Sequence, residues 1–121
     1  MTIPLGPAVA NLTGIRAGDR NLITATIISK GEPVNLTGLT PSAQARKKAT
    51  DAEPAITAVI EVLDAAAGKI SIRWPGDAVT AMLAGGARWD GVWDLQLDPG
   101  GEDPMTVVAG TFGAVMDVTR P

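Results

Sequence analysis

The chain has 121 residues, the length of one ordinary domain and too short for two independent cores. Its composition is 45% hydrophobic and 19% charged, with 14 Gly and 9 Pro, which describes a folded chain rich in turns rather than a disordered one. There is no Cys and no His. That excludes disulfides, thiolate nucleophiles and the usual zinc knuckles, and it removes the commonest general base and metal ligand.

The net charge of −3 argues against nucleic acid as the main partner, because phosphate binding needs a basic field. The pI of about 4.7 agrees. The first seven residues lack a basic start and a long apolar run, so no signal peptide is expected. No stretch approaches the roughly 20 apolar residues that span a bilayer. Aromatic residues are only 3% of the chain, so small and β-branched side chains must fill most of the core.

In chain order, the period is mostly two. A first short strand is expected over Val9–Leu12, with Gly18 and Asp19 marking a turn after Ile15. Leu22–Ile28 is β-branched almost throughout and reads as the clearest early strand. Residues 29–32, Ser-Lys-Gly-Glu, form a tight turn, and Pro33–Leu39 is then extended with a bend or bulge at Gly38. Ser42–Lys47 alternates small apolar with polar residues, as a strand with one wet face does. Lys48–Pro54 is a polar loop. Ala55–Leu63 and Lys69–Trp74 form a hairpin around residues 64–68, with Ile70, Ile72 and Trp74 on one face.

Asp77–Leu83 reads as a single helical turn capped by Asp77 and ended by Gly85 and Gly86. Arg88–Leu97 is the best strand: Trp89, Gly91, Trp93, Leu95 and Leu97 share one face, while Val92, Asp94 and Gln96 take the other. After a turn over Asp98–Asp103, Met105–Ala109 and Thr111–Val118 complete the set, with a bulge at Gly110 between them. Seven or eight short strands at near-regular spacing indicate an all-β, Ig-like antiparallel β-sandwich spanning residues 1–121 as one domain. Trp74, Trp89, Trp93, Leu95 and Phe112 are its core candidates.

Several constellations bear on chemistry. Asp98, Glu102 and Asp103 could offer oxygen ligands to calcium, but their spacing matches no defined loop and a solvated turn explains them. Asp90 and Asp94 lie four apart on a strand, about 13 Å along it, which exceeds the separations of paired glycosidase carboxylates. Arg46, Lys47 and Lys48 read as a solvated strand end rather than a phosphate site. The N-x-T triplets at Asn11 and Asn35 are accounted for by turn chemistry. Trp74, Trp89 and Trp93 could build a sugar platform, but core packing suits their spacing better. No catalytic, cofactor or metal residues are expected.

The order of motifs resembles the amino-terminal Ig-like domain of phage baseplate upper proteins. The pieces that carry the likeness are Ile15-Arg-Ala-Gly-Asp19, Gly31-Glu-Pro-Val-Asn-Leu-Thr-Gly38, Ala43-Gln-Ala-Arg46, Asp64-Ala-Ala-Ala-Gly-Lys-Ile-Ser-Ile72, Trp89-Asp-Gly-Val-Trp-Asp-Leu-Gln-Leu97, Gly110-Thr-Phe112 and Asp117-Val-Thr119. Together they span about a hundred residues of the 121. The resemblance implies a β-sandwich that attaches within a virion and has no catalytic residues. This sequence departs from the family in ending at Pro121 without a fibre-like extension, and in placing Trp93 where Tyr is frequent; the first departure favours a compact adaptor.

The expectation is a structural virion protein of the tail tip or baseplate, multimeric in the particle and assembled in the bacterial host cytoplasm. It would dock on other virion proteins and copies of itself, with no nucleic-acid or membrane partner. The extended segments Thr2–Ala8 and Asp117–Pro121 are expected to reach neighbours, making Thr2, Ile3, Pro4, Leu5, Pro7, Val118 and Pro121 the interface candidates. The rivals are a capsid decoration or head–tail connector protein and a carbohydrate-binding module.

Overall fold

The computed structural model describes residues 2–4, 8–101 and 103–116. It contains strands β1 (Thr2–Pro4), β2 (Ala8–Val9), β3 (Leu12–Arg16), β4 (Leu22–Ser29), β5 (Glu32–Pro33), β6 (Thr40–Arg46), β7 (Ile56–Thr57), β8 (Val59–Asp64) and β9 (Lys69–Arg73). Helix α1 (Gly76–Leu83) precedes β10 (Arg88–Asp98) and β11 (Met105–Val115). Two sheets form a sandwich. One runs β1-β4-β9-β8 with β5 added to β4, and the other runs β2-β11-β10-β6-β7 with β3 also on β11.

Period-two burial explains most of these strands. Along β10, Trp93, Leu95 and Leu97 are buried while Val92, Asp94 and Gln96 are partly exposed on the other face. Ala43 and Ala45 of β6 do the same opposite Leu95 and Trp93. Small residues at these two sites make room for the large ones across the sheet. In the facing sheet Ile70 and Ile72 of β9 and Ala25 and Ile27 of β4 supply the other half of the core.

The sheets are mixed, where an antiparallel sandwich was expected. β1 runs parallel to β4, and both β2 and β3 run parallel to β11. Parallel neighbours need long crossovers, so these pairings join residues far apart in the chain and leave no local turn signal. The expected strand Val9–Leu12 is accordingly two strands, β2 and β3, interrupted at Ala10 and Asn11. Within β3, Leu12 pairs with Phe112 but Ile15 pairs with Ala114, so one extra residue is accommodated. Gly14, at φ 76, takes the left-handed backbone that this bulge requires, and both Leu12 and Ile15 thereby face the core.

Two further expectations change. The bulge expected at Gly110 lies at Val107, since Leu95 pairs with Val108 and Gln96 with Thr106. Both Val107 and Val108 are consequently buried, and β11 is one continuous strand. The expected strand Ala55–Leu63 also divides. Ile56 pairs with Ala45 in one sheet, and Val59 pairs with Arg73 in the other, so the chain crosses the sandwich at Ala58.

Helix α1 connects β9 of one sheet to β10 of the other and buries Val79 and Leu83. Its N-cap position is Pro75, not Asp77. Asp77 lies in the first turn, and its Oδ1 accepts the Ala78 N–H at 2.9 Å, suiting the positive end of the helix dipole. Ala84, at φ 51, turns the chain out of the helix.

The loop between β3 and β4 is pinned by one side chain. Asn21 accepts the Arg16 N–H through Oδ1 at 3.0 Å, and its amide donates to the carbonyls of Arg16, Asp19 and Trp74 at 2.8, 3.2 and 3.2 Å. Asn tolerates its φ of 46 better than other side chains do. Asn21→Ala loses the whole set and keeps the unfavourable φ. Urea denaturation is expected to show a loss of about 1–3 kcal/mol.

Candidate interaction surface

The three tryptophans divide by depth. Trp74 and Trp93 are buried, and Trp89 packs against the core while partly exposed. Trp74 stands edge-on to Phe112, with centroids 4.8 Å apart, and to Trp93 at 6.1 Å, joining the two sheets through one aromatic cluster. Leu95 and Phe112 lie in the same core. The Trp93 indole N–H donates to the Ala10 carbonyl at 2.8 Å. With two of the three rings enclosed, they form no open platform for a sugar; the Lys47 ammonium also lies 5.2 Å above the Trp89 ring.

The charged candidates are mostly engaged within the chain. Arg88 Nε donates to Asp90 Oδ2 at 2.9 Å, and this carboxylate holds the guanidinium still more firmly protonated than usual. Lys47 Nζ donates to the Asp90 carbonyl at 2.7 Å, and Arg46 Nε to the Asp51 carbonyl at 3.1 Å. The Lys48 N–H donates to Asp51 Oδ2 at 3.1 Å, closing the loop that follows β6. Asp98 Oδ1 accepts the Gly100 N–H at 2.9 Å, an Asx turn, while Glu102 lies outside the described residues. Among the described residues no three His, Cys, Asp or Glu side chains gather as metal ligands.

Asn35 and Asn11 have separate structural tasks. Asn35 Oδ1 accepts the Thr37 N–H at 3.0 Å in a local turn. Asn11 Oδ1 accepts the Thr111 N–H at 3.0 Å, tying the break between β2 and β3 to β11.

The interface candidates at the amino end are placed differently from expectation. Ile3 is 1% exposed and sits in register with Ile27, so Thr2–Pro4 forms an edge strand of the core rather than an arm held clear of it. Thr2 and Pro4 remain exposed. Burying one isoleucine face costs less than leaving it in water, which docks the segment. Leu5, Pro7, Val118 and Pro121 lie outside the described residues. Ile3→Ala is expected to lower stability by about 2–4 kcal/mol, measured by thermal or urea unfolding. Deleting Thr2–Ala8 should therefore destabilise the fold.

Two of the open surfaces among the described residues bear on docking. The first is a groove of about 430 Å³ over the outer face of the larger sheet, lined by Val9, Gln44, Arg46, Val92, Asp94 and Ala109. The second is the free edge of the smaller sheet along β8. Six large apolar residues are exposed among the described ones, namely Val9, Leu22, Val59, Val62, Leu63 and Met105, and three of these six lie on β8. Leu22 joins them through Arg73, since Val59 and Leu22 pair with that residue from either side. Sequence reading placed Val59–Leu63 in a hairpin arm but could not show that its other side has no neighbour.

Fold and surface together define a small β-sandwich with one apolar open edge. No family model matches the chain, and no curated protein does. Among solved structures, it is similar to the N-terminal domain of phage TP901-1 ORF48, at 22% sequence identity and a TM-score of 0.48, over 96% of each chain.

Proposed function

We propose that this chain is a structural bacteriophage virion protein of the tail-tip or baseplate region, working by protein–protein docking in a symmetric assembly. The observation that carries the docking is the concentration of exposed apolar side chains on β8, a strand with an unpaired side. Edge strands in free-standing proteins are usually short, charged or covered, because open backbone groups recruit other strands. The virion assignment is supported by the order of motifs from Ile15 to Thr119 that resembles the baseplate upper proteins. Those motifs include the Ala43–Arg46 strand and the Trp89–Leu97 strand, which here pair with each other at the centre of the larger sheet.

The test is an antibody raised against the recombinant chain and applied to gradient-purified particles from the host that encodes it. Gold label at the tail tip is the expected result. Label over the head would replace this reading with capsid decoration, and particles lacking the chain would refute a virion role altogether.

A further inference from the structure

We infer that the β8 edge is a strand-addition site for an extended segment of another protein, one that alternates basic with apolar residues. The inference rests on the docking role proposed above and names its partner's chemistry. Among the described residues β8 pairs with β9 alone, so alternate N–H and C=O groups along its six residues face outward with no ladder partner there. An added strand satisfies those groups, and side-chain contacts then select which strand is taken. Val59, Val62 and Leu63 are 48%, 38% and 50% exposed and supply the apolar part of that contact.

Charge decides the occupant. From Asp51 to Asp64 the chain carries Asp51, Glu53, Glu61 and Asp64 and no Lys or Arg. Lys69 and Arg73 stand on β9, in register with Asp64 and Val59, but on the paired side of the strand. Neither forms an ion pair with Glu61 or Asp64. A second copy of this chain is therefore a poor occupant. Antiparallel pairing of two β8 strands about their middle puts Glu61 opposite Val62 and Asp64 opposite Val59, which gathers four carboxylates in one seam with no Lys or Arg on either strand to pair them. The whole chain is acidic as well. A strand with Lys or Arg opposite Glu61 and Asp64, and Val, Ile or Leu between, meets both the charge and the apolar surface.

The probe is a synthetic eight-residue peptide alternating lysine with valine, titrated into the isotope-labelled full chain and followed by amide NMR shifts and hydrogen exchange. Shifts and slowed exchange centred on Val59–Asp64 are expected, weakening with added salt. The same peptide with glutamate for lysine should bind at least about fivefold more weakly, as should the lysine peptide to Glu61→Lys. Glu61 and Leu63 are exposed, so Glu61→Lys and Leu63→Lys are expected to fold normally, with near-ultraviolet circular dichroism as the control. Shifts confined to other strands, equal binding of the two peptides, or a concentration-dependent dimer that protects β8 would each overturn the inference. Particle incorporation separates the two claims. Normal entry of Glu61→Lys and Leu63→Lys into particles overturns the strand-edge site alone. Absence of the unaltered chain from particles overturns the virion reading and leaves the peptide titration to decide the edge.

Discussion

Trp74→Ala is expected to destabilise the chain by about 3–5 kcal/mol, the usual cost of emptying a large aromatic site in a core. A domain of this size has only about 5–15 kcal/mol in hand, so the variant should lose a large share of its stability. Trp74 is fully buried and touches aromatic rings from both strands at the centre of the opposite sheet. Trp74→Phe separates volume from polarity. The Trp74 indole N–H is buried and has no hydrogen-bond partner among the described residues, so replacing it removes a desolvated donor worth about 1–3 kcal/mol. That relief offsets much of the lost ring area, and Trp74→Phe is expected to cost less than about 2 kcal/mol. Chemical denaturation followed by the fluorescence of Trp89 and Trp93 measures both variants. A Trp74→Phe loss equal to that of Trp74→Ala would mean that the N–H contributes a favourable contact and is not a penalty.

Gly110→Ala is the second large effect, at about 2–4 kcal/mol. A Cβ at Gly110 would meet the Ala10 carbonyl oxygen and carbon and, at 2.9 Å, Asn11 Oδ1. None of these is the yielding end of a long side chain. That same carbonyl accepts the Trp93 indole N–H, and the Ala10 N–H donates to the Ala109 carbonyl at 3.1 Å. Pushing Ala10 away thus breaks the seam between the amino-terminal strands and β11. Gly113→Ala is the control three residues later, in register with Asp90: its Cβ would meet nothing nearer than the Asp90 Oδ1 at 3.5 Å. It is expected to change stability by less than about 1 kcal/mol, in either direction. Equal losses for the two variants would show that strand β11 resists any side chain at a glycine, and not that Ala10 is the obstacle.

Much of this architecture was legible locally. The strands read over Leu22–Ile28, Ser42–Lys47 and Arg88–Leu97 correspond to β4, β6 and β10, whose inner stretches alternate buried with wetter residues. Trp74, Trp93, Leu95 and Phe112 were recognisable as core because large apolar side chains at period two on such strands have nowhere better to go. The helical turn read over Asp77–Leu83, with its end at Gly85 and Gly86, is the helix Gly76–Leu83, whose cap lies at Pro75 and not at Asp77.

Sequence by itself determined the all-β class, the turn positions and the inner faces of the main strands, because those follow from side-chain alternation and backbone preference within a few residues. Tertiary structure decided the rest. The amino-terminal strands lie parallel to β4 and β11, and the contact from Asn11 to Thr111 spans nearly the whole chain, so no local pattern records it. The division of Ala55–Leu63 between two sheets likewise depends on which strand waits across the sandwich, not on any residue within the segment. Ile3 reads as an arm until a vacant sheet edge buries it. The apolar edge at β8 exists only because the sheet ends there, since a strand's alternation reports which face is wet and never which side is unpaired.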